Sequence, residues 1–196
     1  MFTLTTVISL LSALLLSSFY NQDVQLLGVE SNHSTVMFSI PIAGMTRVTG
    51  KFNDYSIDID YVDKDITKSS ITAVIQTASI DTGIPVRDQD LQSDNFFDAE
   101  KYPEITFKSS SIIKEGANYV AKGTVFMHGI SKEMDLPFKI TGSSGENTIG
   151  FSSRFVIDRM DFEVAKDFKH TLIDNFLGEE VEVEIDFWTR KRKVKK

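Results

Sequence analysis

The chain contains no cysteine in 196 residues. That removes thiolate metal sites, cysteine nucleophiles, prenylation and an acylated lipoprotein cysteine together. Histidine is scarce: His33, His128 and His170 stand far apart, and none belongs to an HxxxH or HExxH pair. A metal site would need assembly from distant parts of the chain, so no metal and no cofactor is expected. There is no GxSxG elbow, no phosphate-cradling glycine loop and no dinucleotide fingerprint. His33 and Ser34 are adjacent, but neighbouring strand residues point to opposite faces and cannot act together. No catalytic residue is assigned. Positive charge is also in short supply. The net charge is −7, and six of the 21 basic residues crowd into Arg190–Lys196. The rest of the chain sets 15 basic against 28 acidic residues, a balance that repels a phosphate backbone and argues against nucleic acid as a partner. The basic run, residues 190–196, reads as a solvated tail, with weak contact to an anionic membrane surface as its alternative role.

Charge is missing altogether from Met1 to Gln22. Within that stretch VISLLSALLL (Val7–Leu16) has the length of a signal-peptide apolar region and is too short to span a bilayer. Ser17 and Ser18 supply small residues near a cleavage point, although a basic N-terminal region is lacking. Residues 1–20 are therefore read as a signal peptide, with an uncleaved anchor as the rival. Either reading exports the remainder, to the periplasm or outside the cell.

What the sequence does have is alternation. Val181, Val183, Ile185 and Phe187 alternate with Glu182, Glu184 and Asp186, the pattern of a strand wet on one side. Val36, Phe38 and Ile40 share a face; so do Met134, Leu136, Phe138 and Ile140, and Ile149, Phe151, Phe155 and Ile157. Shorter runs appear at Ile57–Tyr61, Ile71–Ile75 and Ile105–Phe107, and Val125 and Met127 face inward with Tyr119 and Ala121. About eight or more strands with short turns predict an all-β antiparallel sandwich or barrel. Periodicity alone leaves open whether the apolar faces fill a core or wall a lumen.

Two segments break the alternation. Asp81–Ser93 carries Pro85 near a helix start, with Asp81 and Thr82 as cap candidates, and Val164–Leu177 ends at Gly178, which suits a helix terminus; both read as short helices or lids between strands, giving one or two short helices in all. In the first, Arg87 and Asp88 are expected to clamp the segment to a neighbouring strand, with Leu91 following and Phe96 and Phe97 plugging one end of the sheet. These five residues form a candidate latch.

Several stretches, in order, resemble the YceI-like, polyisoprenoid-binding family of bacterial envelope proteins. HSTVMFSI (His33–Ile40) is similar to its opening strand, VTGKFNDYSIDID (Val48–Asp60) to its next hairpin, and SIDTGIPVRDQDLQSDNFFDAEKYPEITF (Ser79–Phe107) to its central signature. GTVFMHGISKEMDLPF (Gly123–Phe138), FVIDRMDF (Phe155–Phe162) and VEVEIDFW (Val181–Trp188) follow. The resemblance covers about residues 26 to 189. One departure is visible: where the family has Gly after Arg-x-Asp-Phe, this chain has Glu163. The resemblance implies an extended, lipocalin-like barrel over residues 24–189 whose lumen holds a long apolar chain, a polyisoprenoid or fatty amide, without catalysis. Phe38, Phe107, Val125, Met127, Phe151 and Phe155 are the lining candidates on that reading. An enzyme acting on such a lipid, with Arg87, Asp88, His128 and Asp158 as its polar groups, and an interaction domain with a filled core are the alternatives.

Overall fold

The computed structural model describes residues 24–192. The expected signal peptide lies outside them, as do the last four residues of the basic tail. Eleven strand segments appear in chain order: β1 (Val24–Val29), β2 (Thr35–Ile42), β3 (Thr46–Phe52), β4 (Tyr55–Val62), β5 (Ser70–Gln76), β6 (Ile80–Asp81), β7 (Glu104–Glu115), β8 (Asn118–Met127), β9 (Ile130–Ser144), β10 (Thr148–Asp158) and β11 (Glu180–Lys191). Among the described residues one α-helix, α1 (Pro85–Gln92), joins β6 to β7.

The pairing shows how eleven segments make eight barrel strands. β11 pairs along one edge with β2 through Glu182–Asp186 and then with β1 through Thr189–Lys191. β3 and β4 run on beside β2 and β1, and β6 and β5 beside β3 and β4. From β5 the sheet continues through β7, β8, β9 and β10 back to β11, and the β1–β11 pairing closes it. Every neighbouring pair is antiparallel, so no edge is left along the closed portion.

The broken strands have local causes. Between β1 and β2 the chain makes a 3-10 turn over Ser31–His33, and Glu30 pins the break: its Oε2 accepts from Trp188 Nε1 at 3.0 Å and lies 2.7 Å from His33 Nδ1. These bonds hold the Glu30 carboxyl down at a pKa of about 2, the His33 contact contributing most. Gly50 on β3 sits opposite Phe38, where a Cβ would lie 2.4 Å from the Phe38 ring; only glycine lets that ring lie flat across the neighbouring strand. The final strand runs two residues past the expected boundary at 189. Arg190 and Lys191 pair with Gly28 and Leu27, and Arg192 reaches Asp60 at 2.9 Å, so these three basic residues belong to the barrel.

The two ends of the barrel differ. At one, the connections are short (63–69, 116–117, 145–147), and aromatic rings fill the interior. Tyr119 stacks on Phe138 at 5.4 Å and Phe151 on Phe187 at 5.0 Å, beside Leu27, Ile59, Tyr61, Ile112 and Ile149, all buried. At the other end lie the long excursions, 82–103 and 159–179, together with the tight turns 43–45 and 128–129. This second end carries the site.

The expected second helix at Val164–Leu177 does not form. The chain takes a 3-10 turn over Arg159–Phe162 and then runs irregularly to β11. Left-handed residues at Glu163, Ala165 and Asn175 interrupt any helical run. Gly178 is there for space rather than as a helix terminus: a Cβ would meet Pro41 at 2.9 Å. The first helix starts later than its cap candidates suggest. Ile84 occupies the N-cap without a side-chain bond, and Pro85 takes the first turn.

Candidate functional site

Alternation places every second strand residue inward, and at the open end those side chains do not meet. They leave a cavity of about 550 Å³, within the ~300–1,000 Å³ typical of small-molecule pockets. Phe38, Phe107, Val125, Met127, Phe151 and Phe155 all line it. So do residues that the alternating pattern marked as inward but that were not named as lining: Val36, Ile40, Val183, Ile185 and Phe187. Phe107 is 8% exposed, between Ala73 on β5 and Val125 on β8, while Lys108 faces out. The floor is the aromatic layer of Phe138, Phe151 and Phe187.

Charge is kept to the outside and to the rim. Lys122 pairs with Asp135, and Arg154 with Glu184 and Asp186, on the outer face. Apolar inside and ionic outside is the reverse of a transmembrane barrel's arrangement. Among the described residues no helix is long and apolar enough to cross a membrane.

The mouth is built by the two excursions. Arg87, Leu91, Phe96 and Phe97 of the expected latch line the cavity; Asp88 does not. The clamp it forms differs from the expected one. Arg87 Nε donates to Thr82 Oγ1 at 2.7 Å, its Nη2 donates to the Thr82 carbonyl at 2.9 Å, and Asp88 accepts from the Thr82 amide at 2.8 Å. Both charges thus secure the entry to their own helix rather than a neighbouring strand. Phe97 packs edge-on against Phe52 at 6.3 Å, and Phe96 meets Phe168 of the second excursion at 5.4 Å.

Arg159 holds that second excursion in place. Its Nε donates to the Gly178 carbonyl at 2.8 Å, and its Nη1 donates to the carbonyls of Val164 at 2.8 Å and Ala165 at 2.9 Å. Burial pulls its pKa below the ordinary guanidinium value, but the group stays charged. One planar cation thereby organises a segment that has no helix to satisfy its carbonyls. The segment then lends Phe168, Phe176 and Leu177 to the cavity wall. Sequence reading missed these three and Arg159, because an irregular segment has no period to expose its inward side chains.

Beside the mouth lies a polar recess of about 500 Å³ that includes Asp94, Asn95, His128 and Lys169 and shares Asp90, Phe96 and Phe168 with the lumen. Of the polar groups considered for an enzyme, His128 alone reaches it. Arg87 and Asp88 meet on Thr82, Asp158 caps the 3-10 turn by accepting from the Met160 amide at 2.8 Å, and His128 Nδ1 lies 3.0 Å from the Phe162 carbonyl. Among the described residues no cluster of three or more acidic or histidine side chains is placed to hold a metal ion.

Comparison with known proteins agrees with this architecture. The sequence profile of the YceI-like domain matches residues 28–188. A UPF0312 protein of Yersinia pestis is 30% identical over 142 residues, covering 70% of this chain and 74% of that protein. The crystal structure of a Campylobacter jejuni YceI protein superposes with a TM-score of 0.67 at 28% identity, over 76% of this chain and 88% of that one. A domain from Saccharophagus degradans, described as polyisoprenoid-binding, shares the fold with a TM-score of 0.67 at 18% identity, over 85% of this chain and 98% of that one.

Proposed function

The chain belongs to the YceI-like domain family, and from that premise we propose that it binds and carries, without chemical turnover, a long-chain apolar lipid of the polyisoprenoid or fatty-amide type. The observation that carries this reading is the lumen itself: a continuous apolar wall, closed below by stacked rings and open at one end. The S. degradans domain of the same fold, named for polyisoprenoid binding, supports the ligand class. Export through residues 1–20 is part of the proposal and fits a carrier working between or beside membranes.

The energetics need no catalytic group. Burying one five-carbon unit gains about 4 kcal/mol, at ~0.8 kcal/mol per methylene. Five such units gain on the order of 20 kcal/mol gross, against an association cost of ~4–15 kcal/mol. The polar head then rests at the open end, beside the recess that contains Asp94, Asn95 and Lys169. A charge set into the wall would have to be desolvated by the ligand, which costs several kcal/mol. Phe107→Asp should therefore abolish retention of a fluorescent prenol analogue, and Phe155→Asp, at a less buried wall position, should do the same with a milder effect on folding. Lys108→Asp, one residue along and facing out, should leave retention intact. Folded Phe107→Asp and Phe155→Asp proteins that keep the probe would overturn the proposal.

A further inference from the structure

The three most exposed large apolar side chains of the described residues lie on the elements of the mouth. Leu172 is 87% exposed, Met45 77% and Val86 71%; Ile84 follows there at 50%, while Val156, at 51%, lies on the outer face of β10. Each sits within a few residues of the cavity wall. Leu172 lies between Phe168 and Phe176, Val86 beside Arg87, and Met45 in the turn after Ile42. The elements that carry Met45 and Leu172 are tied together, the Ala43 amide donating to the Phe176 carbonyl at 2.6 Å and Ile42 bridging to Leu177, and the excursion that carries Val86 meets the same segment through Phe96 and Phe168 at 5.4 Å. They form one rim, continuous with the lumen, and none of Leu172, Met45 and Val86 lines the cavity itself. Most of their apolar surface is left in water, and exposed patches of this kind mark contact surfaces.

The charge around the rim selects its partner. The two excursions, 82–103 and 159–179, carry ten acidic residues against five basic ones. Such a collar is repelled by an anionic lipid surface, whose potential attracts basic segments. It is compatible with zwitterionic head groups, whose outer charge is an ammonium.

We infer that the open end of the barrel docks on a zwitterionic lipid bilayer, with Met45, Val86 and Leu172 inserted at the head-group boundary and the lumen mouth facing the acyl chains. The inference rests on the lumen being a lipid carrier, because a cargo insoluble in water is exchanged where it dissolves. Side chains at the level of the head groups bind in proportion to the apolar area they bury. The orientation places the mouth against the membrane and the aromatic floor away from it.

The test uses the full chain and vesicles of phosphatidylcholine, alone or mixed with phosphatidylglycerol, in a flotation assay. Wild-type protein should float with phosphatidylcholine, float less when phosphatidylglycerol is added at low salt, and recover when salt is raised. Met45→Asp/Val86→Asp/Leu172→Asp, three changes at exposed positions, should lower the bound fraction by about tenfold or more. Uptake of a fluorescent prenol analogue delivered from ethanol, without vesicles, should be unchanged in that variant, while transfer from vesicles slows. Equal flotation of variant and wild type overturns the inference. So does binding that requires phosphatidylglycerol and disappears with salt, since basic residues and not the acidic collar would then carry it. Self-association of the wild type that the variant abolishes, with no flotation, makes the rim a contact between copies and overturns it too. Failure of both proteins to take up the prenol while flotation persists would refute the carrier reading and leave the docking surface standing.

Discussion

Arg159→Ala should release the second excursion from the barrel and open the lumen without unfolding the sheet. The wild-type guanidinium makes three short bonds to carbonyls, on Gly178, Val164 and Ala165. A hydrogen bond to a charged group contributes ~1.5–3 kcal/mol, so three give at least about 4–5 kcal/mol gross. Two effects offset part of this. Removing the cation recovers its own desolvation cost, and water can reach Gly178, which is only half-buried. Val164 and Ala165 are buried; the Ala165 carbonyl keeps the Phe168 amide at 3.2 Å, but the Val164 carbonyl is left without a donor. A net loss of about 3 kcal/mol follows. Urea denaturation should show it, and hydrogen exchange should localise it to residues 163–178, with the strands still protected. Release of a bound prenol analogue should accelerate, because Phe168 and Phe176 leave the wall with the segment. Arg159→Lys should rescue little, since a point charge cannot address three carbonyls in one plane. An Arg159→Ala protein with unchanged stability and unchanged release would refute the assignment of this side chain as the fastener of the mouth.

Other outcomes follow from particular contacts. Glu163 holds a left-handed conformation (φ 54°), which favours glycine. Glu163→Gly should raise stability by roughly 0.5–1 kcal/mol, the relief of strain exceeding the added chain entropy; a fall in melting temperature would show that the Lys166 contact matters more. The carboxyl of Glu30 titrates near 2 in the folded protein instead of near 4.5, so its contribution to stability is complete above 4.5 and is lost as pH falls toward 2. The gap in melting temperature between wild type and Glu30→Gln should narrow over that window; a constant gap would mean that the contacts with Trp188 and His33 do not depend on the charge.

Much of this molecule could be read from its alternation. Val183, Ile185 and Phe187 face inward because a strand has a period of two and Glu182, Glu184 and Asp186 hold the other face in water. The same rule placed Phe107 inside and Lys108 outside. It could not tell a filled core from a lumen, because that depends on whether facing side chains meet across the barrel. Rings meet at Tyr119–Phe138 and leave space at Phe38 and Phe155. Breaks in strands are also hidden from periodicity: β1 and β2 are one barrel strand interrupted after Glu30, where Trp188 arrives from the far end of the chain to meet Glu30 beside His33. The Val164–Leu177 segment reads as helical because its apolar residues fall three and four apart. Arg159 takes the carbonyls a helix would use, and no local pattern announces that competition.

The most direct test of the central claim is native mass spectrometry of the full chain purified without detergent, followed by extraction and identification of whatever it holds. The account predicts a protein carrying one apolar lipid per lumen, released on unfolding, with a long hydrocarbon chain and a small polar head, and absent from Phe155→Asp protein prepared in the same way. A wild-type protein that is empty and refuses added prenol, or one that retains a compact polar molecule instead, would contradict it.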